Sequence, residues 1–139
     1  MREVALVGPT SLGLSFIAQG IDWQPGANVI VHGDDYPSNV YPWMALQEKG
    51  VELKHLKPSE PGRIEPEDDF ELVDSRTRMA ALASCHYVSG YRIDIDTIGR
   101  ELRARGVLVC VDSIQTVGAF PTPVEHVDFL AADAHKWML

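Results

Sequence analysis

His135 and Lys136, adjacent near the end of the sequence, have side chains that suit phosphate contact and covalent chemistry. They follow an apolar run, residues 127–132, that is typical of a buried strand. A desolvated lysine just past such a strand is a good nucleophile for a Schiff base. The alternatives are a surface lysine beside a loop and a histidine that bonds a backbone group. We predict that Lys136 is the nucleophile and that His135 contacts a phosphate.

Asp112 closes a second apolar run, residues 107–111. A carboxylate in such a place needs a partner, because burying an unpaired charge is costly. A protonated ring nitrogen is one such partner, and the ring can then accept electrons from a carbanion; a helix cap or an arginine would also serve. Three residues on, Gln115 can reach the same ligand and donate to a phenolate oxygen if a helical turn follows. Its alternative is an exposed position in a turn.

Two hydroxyl residues, Thr10 and Ser11, stand in a turn between an apolar run and a helical stretch. Free backbone N–H groups and the helix dipole attract a phosphate at such a turn, and the hydroxyls can add hydrogen bonds. A plain helix cap is the alternative, and no lysine follows Gly13 as it would in a P-loop. Further on, Tyr36 can stack on a flat ring or pack on the surface.

These residues are spaced along a chain in which apolar runs alternate with helical stretches. Several of the runs are apolar on both faces, which is typical of parallel strands covered by helices on both sides. We therefore predict an α/β fold, with a mostly parallel, doubly wound sheet and helices on both of its faces. The predicted strands are residues 4–7, 28–31, 51–53, 79–83, 107–111 and 127–132. One predicted helix follows Ser11 and runs through Gln19, a second spans residues 37–49 and ends at Gly50, and a third runs from a cap at Asp94 or Asp96 to just before Gly106. Residues 58–69 are predicted to be a loose polar stretch.

Ligands of an open parallel sheet bind outside the carboxyl ends of its strands. The polar residues singled out above follow predicted strand ends, as do several others, so five strand ends would bring polar groups to one edge. Packing alone does not explain such a convergence. Each of the alternatives is reasonable singly, but all of them must hold together for the pattern to be accidental.

Composition narrows the class of protein. The 139 residues are 45% hydrophobic and 23% charged, which fits one globular domain. The net charge of −8 argues against a nucleic-acid partner. We see neither a run long enough for a bilayer nor a signal sequence, so we expect a cytoplasmic protein with no membrane partner. Cys85 and Cys110 sit in or beside apolar runs and are interpreted as structural thiols.

Together, these motifs resemble the large domain of class V aminotransferase-like enzymes of fold type I, which depend on pyridoxal 5′-phosphate (PLP). That group includes cysteine desulfurases, selenocysteine lyases and isopenicillin-N-epimerase-like proteins. The resemblance covers nearly the whole chain. Its most specific parts are the motif from Val111 to Gly118 (Val-Asp-x-x-Gln-x-x-Gly), the pair Asp128-Phe129 and the triplet His135-Lys136-Trp137, with a further match from Pro37 to Trp43.

The resemblance implies a role for each site residue. Lys136 would form the Schiff base with the cofactor, and Asp112 would pair with the pyridine nitrogen. Gln115 would bond the phenolic oxygen of the ring. The implied phosphate contacts are Thr10, Ser11 and His135, and Tyr36 would take the place of a stacking histidine.

Two residues depart from the desulfurase pattern. Asp133 stands where desulfurases usually have a phosphate-binding serine. An acid facing phosphate is repulsive, so we expect Asp133 to point elsewhere and leave it out of the phosphate site. Tyr87 falls near a position where an asparagine often holds the ring oxygen or the substrate. Both changes favour the epimerase-like members of the group.

The resemblance also implies parts that this sequence does not contain: most of an N-terminal segment, an antiparallel strand after the lysine and a small C-terminal domain. Residues 1–139 are therefore expected to be a partial PLP-binding large domain, with two strands that each lack a neighbour. The full-length protein would be a homodimer.

Three functions compete at this stage. The first is the cofactor-binding region of a PLP-dependent enzyme that acts on a small amino acid by transaminase, lyase or epimerase chemistry. The second is a truncated, non-catalytic fragment of such an enzyme. The third is a metal-dependent hydrolase that uses Asp112, Asp133 and His135, although no tight ligand spacing occurs. For the PLP-dependent enzyme we predict no metal ligand. The sequence does not identify the substrate.

Overall fold

The computed structural model describes residues 3–138, so residues 1, 2 and 139 of the predicted domain lie outside the described residues. The fold alternates strands and helices along the chain, as an α/β protein does. The strands are Asn28–His32 (β1), Glu52–Leu56 (β2), Thr77–Ala83 (β3), Leu108–Asp112 (β4) and Phe129–Ala131 (β5); the α-helices are Thr10–Gly20 (α1), Tyr41–Met44 (α2), Pro66–Leu72 (α3) and Ile95–Ala104 (α4); 3-10 helices span Pro37–Asn39 and Ala45–Lys49.

The five strands form one parallel sheet in the order β2-β1-β3-β4-β5. Successive residues of a strand face opposite sides, and on β1 both sides are buried: Ile30 packs into one core, and Val29 and Val31 pack into the other. Helix α4 contributes to the first core, and helices α1 and α2 contribute to the second. The predicted doubly wound α/β sheet with helices on both faces is confirmed.

Each core is continuous from the sheet to the helices that cover it. Burying a Leu or Ile side chain stabilises a fold by roughly 1.5–3 kcal/mol, so these contacts fix where the strand ends lie. The first core contains Ile30, Leu82, Val109, Val111, Ile98 and Leu102, and the second contains Leu14, Ala18, Val29, Val31, Trp43, Leu46, Met79 and Cys110.

The predicted strand at residues 4–7 is wrong. These residues have no regular secondary structure, and their apolar side chains are exposed, Val4 by 71% and Leu6 by 99%. A strand gains its hydrogen bonds from a neighbour. Strand β5 pairs with β4 along one edge only, and within residues 3–138 no strand lies on its other edge. Helix α1 nevertheless begins in the turn that the sequence indicated.

The predicted helix at residues 37–49 is broken into three short pieces. Pro42 lies inside it, and a proline removes a backbone donor and clashes with the preceding turn. The segment does end at Gly50, as predicted, because this glycine has a φ of +78°, in the left-handed region.

Helix α3 begins inside the stretch that we predicted to be loose. Pro66 occupies its first turn, and the Asp68 side chain accepts a hydrogen bond from the backbone N–H of Glu65 at 2.9 Å. Helix α4 matches its prediction: Asp94, the first of the two proposed caps, accepts from the backbone N–H of Thr97 at 3.1 Å.

Candidate active site

All five strands run parallel, so their carboxyl ends lie at one edge of the sheet, and the site uses four of these ends, those of β1, β3, β4 and β5. Polar and charged residues follow each of these ends. The site therefore draws on four strand ends and on the start of α1, rather than on five strand ends. The residues concerned are His32 and Asp35 at β1, Ser84 at β3, Asp112 at β4, and Asp133, His135 and Lys136 after β5.

Asp112 is the most buried acid of this edge, with 3% of its surface exposed. Its carboxylate accepts hydrogen bonds from the backbone N–H of Ile114 at 3.1 Å and from the hydroxyl of Ser38 at 3.3 Å. Burial, above all, together with the nearby charge of Asp35, raises the pKa of Asp112 to about 6. The two hydrogen bonds and the positive charge of Lys136 act in the opposite direction. Asp112 is thus an ionisable group held where a cation would be favourable.

Thr10 begins helix α1, and its own side chain is 5% exposed. The residue before it, Pro9, supplies no side-chain cap. The Thr10 hydroxyl oxygen is buried without a hydrogen-bond partner among the described residues. Ser11 is partly exposed and lines a cavity of about 470 Å³ whose wall also includes Tyr36 and Tyr41. The helix start therefore presents one unsatisfied hydroxyl and a second that faces a cavity.

Asp133 contacts this helix start, although we expected it to point away from a bound phosphate. Its Oδ1 accepts a hydrogen bond from the backbone N–H of Thr10 at 3.1 Å. Its Oδ2 lies 3.6 Å from Nδ1 of His135. The positive end of the helix dipole attracts the carboxylate, and this attraction is why the side chain turns inward. His135 is 65% exposed, and its Nδ1 contacts the Asp133 carboxylate that bonds the helix start.

Lys136 is exposed, so the desolvation expected for it is not present around the side chain. Its segment is held against the turn that follows β4: the Trp137 indole N–H donates to the backbone oxygen of Gln115 at 3.0 Å. Trp137 also packs closely over Gly118, whose φ of +91° favours glycine. The segment that carries Lys136 thus lies against the turn that follows Asp112, and Gln115 takes part through its backbone oxygen.

Tyr36 lies beside the second departure, Tyr87. Their rings are 5.4 Å apart, edge to face at 76°, and about half of Tyr36 is exposed. The backbone N–H of Tyr36 donates to Asp35 at 2.7 Å, and Asn39 donates to the same carboxylate at 2.9 Å. Asp35 therefore fixes the turn from which the Tyr36 ring projects toward solvent.

Sequence reasoning assigned no role to three residues at this edge, one of which, Asp35, it had counted among the polar groups that follow a strand end. Ser38 bonds Asp112 from a segment 74 residues away. Asp35 is 6% exposed, and burial raises its pKa. His32 is 3% exposed, its Nε2 has no hydrogen-bond partner in the described part of the chain, and burial lowers its pKa. The polar cluster of residues 32–38 after an apolar strand was the available signal.

The cysteines differ in burial. Cys110 is fully buried, and burial raises the pKa of its thiol far above the ordinary value. Cys85 is partly exposed, and burial also raises its pKa. Neither forms a disulfide.

Some other kinds of site are not seen in the part of the chain that the structure describes. Among the side chains that the structure describes, no three of the types His, Cys, Asp or Glu are grouped so that they could hold a metal ion. Of the proposed hydrolase ligands, Asp133 and His135 lie together, whereas Asp112 bonds Ser38 instead. Among the helices of the same range, none combines the length and apolar character that crossing a membrane would demand.

The sequence of this chain resembles known proteins over nearly its whole length. The family model for aminotransferase class-V matches residues 2–139. The chain is 30% identical to a probable cysteine desulfurase of Methanothermobacter thermautotrophicus, over 99% of this chain and 35% of that protein. It is 28% identical to a cysteine desulfurase of Pectobacterium atrosepticum, over 97% of this chain and 35% of that protein.

The fold also resembles solved structures of cysteine desulfurases. The cysteine desulfurase CsdA of Escherichia coli superposes with a TM-score of 0.83 at 28% identity, over 91% of this chain and 33% of that one. The apo cysteine desulfurase of Thermococcus onnurineus shares the fold, with a TM-score of 0.89 at 23% identity over 96% of this chain and 34% of that one. The chain spans about a third of the length of these relatives. The match over residues 2–139 shows that the chain belongs to the aminotransferase class-V family.

Proposed function

We propose that this chain is the cofactor-binding part of a PLP-dependent enzyme that acts on a small amino acid by transaminase, lyase or epimerase chemistry. The observation that carries the proposal is Asp112, a buried acid with a raised pKa on the same sheet edge as Lys136. Perturbed acids at such an edge are typical of functional sites. Because the chain spans about a third of its relatives, activity and substrate belong to the whole protein.

The described residues fit the cofactor at three points. The unpartnered Thr10 hydroxyl at the start of α1 suits a phosphate, with Ser11 and His135 as the further contacts. Asp112 suits a protonated ring nitrogen, because a cation would offset the penalty of its burial. The partly exposed ring of Tyr36 offers a stacking face.

The remaining roles follow from position. Lys136 would hold the cofactor covalently, and Gln115 would donate to the ring oxygen. When bound, PLP withdraws electrons from the substrate carbon next to the amino nitrogen. Asp112 is mostly ionised at neutral pH, so it can hold a proton on the ring nitrogen as its acceptor. Lys136 can move a proton to and from the substrate at Nζ, and Asp35 orients Tyr36 through its backbone.

We further propose a homodimer for the full-length protein and a cytoplasmic location. Large apolar side chains of α1 and α2 are exposed, including Phe16, Tyr41 and Met44, and Tyr41 lines the cavity beside α1. Exposed apolar groups of this kind mark an interaction surface when they are contiguous. The partial large domain of residues 1–139 would contact a small domain and a partner subunit, and these contacts would be additional to those described above.

A second candidate is a chain that does not bind PLP on its own. The exposure of Lys136 favours it, and so do residues 4–7, which pair with no strand within residues 3–138, because a lysine in water and an open sheet make a weak covalent site. The substrate of both candidates is unassigned. Two structural relatives are complexes with a sulfur amino acid: SspA with cysteine, and the cystine C-S lyase C-DES with its reaction product cysteine persulfide.

The test is a PLP titration of the chain, followed by borohydride reduction and peptide mass spectrometry. We expect a visible absorbance band that borohydride removes and a pyridoxyl group linked to Lys136. Lys136→Ala should abolish both. Lys57→Ala is the matched control, because Lys57 is also an exposed lysine just past a strand end. An adduct at Lys57, or one that persists without Lys136, would contradict the assignment, and no adduct at all would favour the second candidate.

A further inference from the structure

The first turn of α1 is capped by a residue from the opposite end of the chain. Asp133 accepts the backbone N–H of Thr10 at 3.1 Å across 123 residues. Pro9, the residue at the cap position, has no side-chain acceptor. The first N–H groups of a helix lack partners within the helix. A carboxylate therefore fills the place where an external anion would bind.

The same place has a second, independent feature. The hydroxyl oxygen of Thr10 is buried and has no partner among the described residues, although the side chain is only 5% exposed. A buried hydroxyl without a partner is costly. The Asp133 carboxylate takes the backbone N–H but leaves the hydroxyl unused. A ligand with more acceptor oxygens, such as a phosphate, would satisfy both groups.

The Asp133 carboxylate also has a second neighbour besides the helix start. Its Oδ2 is 3.6 Å from Nδ1 of His135, and its side chain is 24% exposed while that of His135 is 65% exposed. The carboxylate thus lies between the helix start and an imidazole that faces solvent. A rotation of the side chain away from Thr10 would keep it next to His135 and in contact with water.

We propose that Asp133 is an internal competitor for the phosphate site and so determines how strongly this chain binds phosphate-bearing ligands. A phosphate carries about 1.5 to 2 negative charges at neutral pH, so it cannot share the Thr10 N–H with an ionised carboxylate. Binding requires Asp133 to leave the helix start. The inference rests on the proposed function for the identity of the ligand, but the competition itself needs only an anion.

Two replacements separate charge from shape. Asp133→Asn keeps an acceptor for the Thr10 N–H and removes the charge, so the helix cap and the fold should survive. Asp133→Ser is shorter and leaves the helix start open. Asp34→Asn is the matched control, because Asp34 is an exposed acid after β1 on the same sheet edge. Its backbone oxygen, rather than its side chain, bonds Nε2 of His86.

The experiment is a titration with inorganic phosphate, followed through the backbone amide signals of Thr10 and Ser11 in a ¹⁵N-labelled chain. Both Asp133 variants should bind phosphate about tenfold more tightly than the original chain, and Asp34→Asn should bind like it. Adding Thr10→Val to Asp133→Asn should reverse most of the gain. Equal affinity in Asp133→Asn and the original chain would overturn the proposal, and so would an equal gain in Asp34→Asn, since the effect would then be general electrostatics.

A second measurement keeps this result apart from the proposed function. Borohydride-reduced PLP adducts at Lys136 are quantified in the same variants. If phosphate binds more tightly in the Asp133 variants but no adduct forms in any chain, the competition stands and the PLP assignment fails. If adducts form equally in all the chains and phosphate affinity is unchanged, the PLP assignment stands and the competition is refuted.

Discussion

Replacing Asp112 with asparagine is expected to stabilise the cofactor-free chain above pH 6. Asp112 is 3% exposed and bears a charge that its surroundings disfavour. Asparagine has nearly the same shape. Its oxygen can still accept from the Ile114 N–H, and its amide can donate to the Ser38 hydroxyl, so both hydrogen bonds can be kept.

The size of the effect follows from the pKa of Asp112, which rises from its ordinary value of 3.8 to about 6. A difference of about two pKa units corresponds to about 3 kcal/mol at roughly 1.4 kcal/mol per unit. This is the most that removing the charge can return at high pH. Allowing for imperfect hydrogen bonds of the amide, we expect Asp112→Asn to raise the free energy of unfolding by about 1–3 kcal/mol.

The sign of the pH dependence is definite. Between about pH 4 and pH 6 the folded chain binds the Asp112 proton and the unfolded chain releases it. Stability from this group therefore falls as pH rises through that window and stays low above it. His32, whose pKa is lowered by burial, acts in the opposite direction below its ordinary value of 6.5. The difference between variant and original chain isolates Asp112, because His32 is present in both.

The assay is urea unfolding followed by circular dichroism at pH 4 and pH 8, with Asp34→Asn as the control for charge alone. The gain of Asp112→Asn should appear at pH 8 and shrink toward zero at pH 4. A variant that is less stable than the original chain at pH 8 would refute the reasoning. A gain of the same size at both pH values would refute it as well, because the origin would not be the carboxylate charge.

Two further predictions concern other parts of the fold. Asp74→Asn should destabilise the chain at pH 7 in urea unfolding, and the loss should fade below about pH 4, because the hydrogen bond from Lys54 lowers the pKa of Asp74; a loss that persists at low pH would contradict this. Gly62→Ala should lower the unfolding free energy by about 2 kcal/mol or more, since its φ is +71° and an added Cβ would collide with His86. Gly106→Ala, with a φ of +77° and open space around the added Cβ, should cost less when urea unfolding of the two variants is compared.

The strands were predictable where their apolar runs are covered on both faces. Strands β3 and β4 lie in the middle of the sheet, and their residues pack into both cores, so the sequence pattern and the burial agree. Residues 4–7 have the same apolar pattern, but a strand also requires a hydrogen-bonded neighbour. Pairing is a property of two segments, and one run of residues cannot reveal it.

The site was predictable as a set of positions but not as a set of contacts. Strand ends place Asp112 and Lys136 on one edge, because parallel strands share their direction. The rotation of a side chain depends on what stands opposite, which lies far away in sequence. Asp133 was expected to avoid the helix start, yet the unpaired N–H of Thr10 attracts it, and Ser38 reaches Asp112 from the loop after β1.

The pKa values of buried or bonded acids shift in opposite directions at the two ends of the sheet, and this difference connects stability to ligand binding. At the amino end, Asp74 accepts from Lys54 and Asn28, and these bonds lower its pKa. At the carboxyl end, burial raises the pKa of Asp35 and Asp112. A bound cation beside Asp112 would supply what Lys54 supplies to Asp74. Such a ligand should therefore stabilise the folded chain most above pH 6, and it should stabilise Asp112→Asn less, since that variant has already lost the penalty that the ligand would remove.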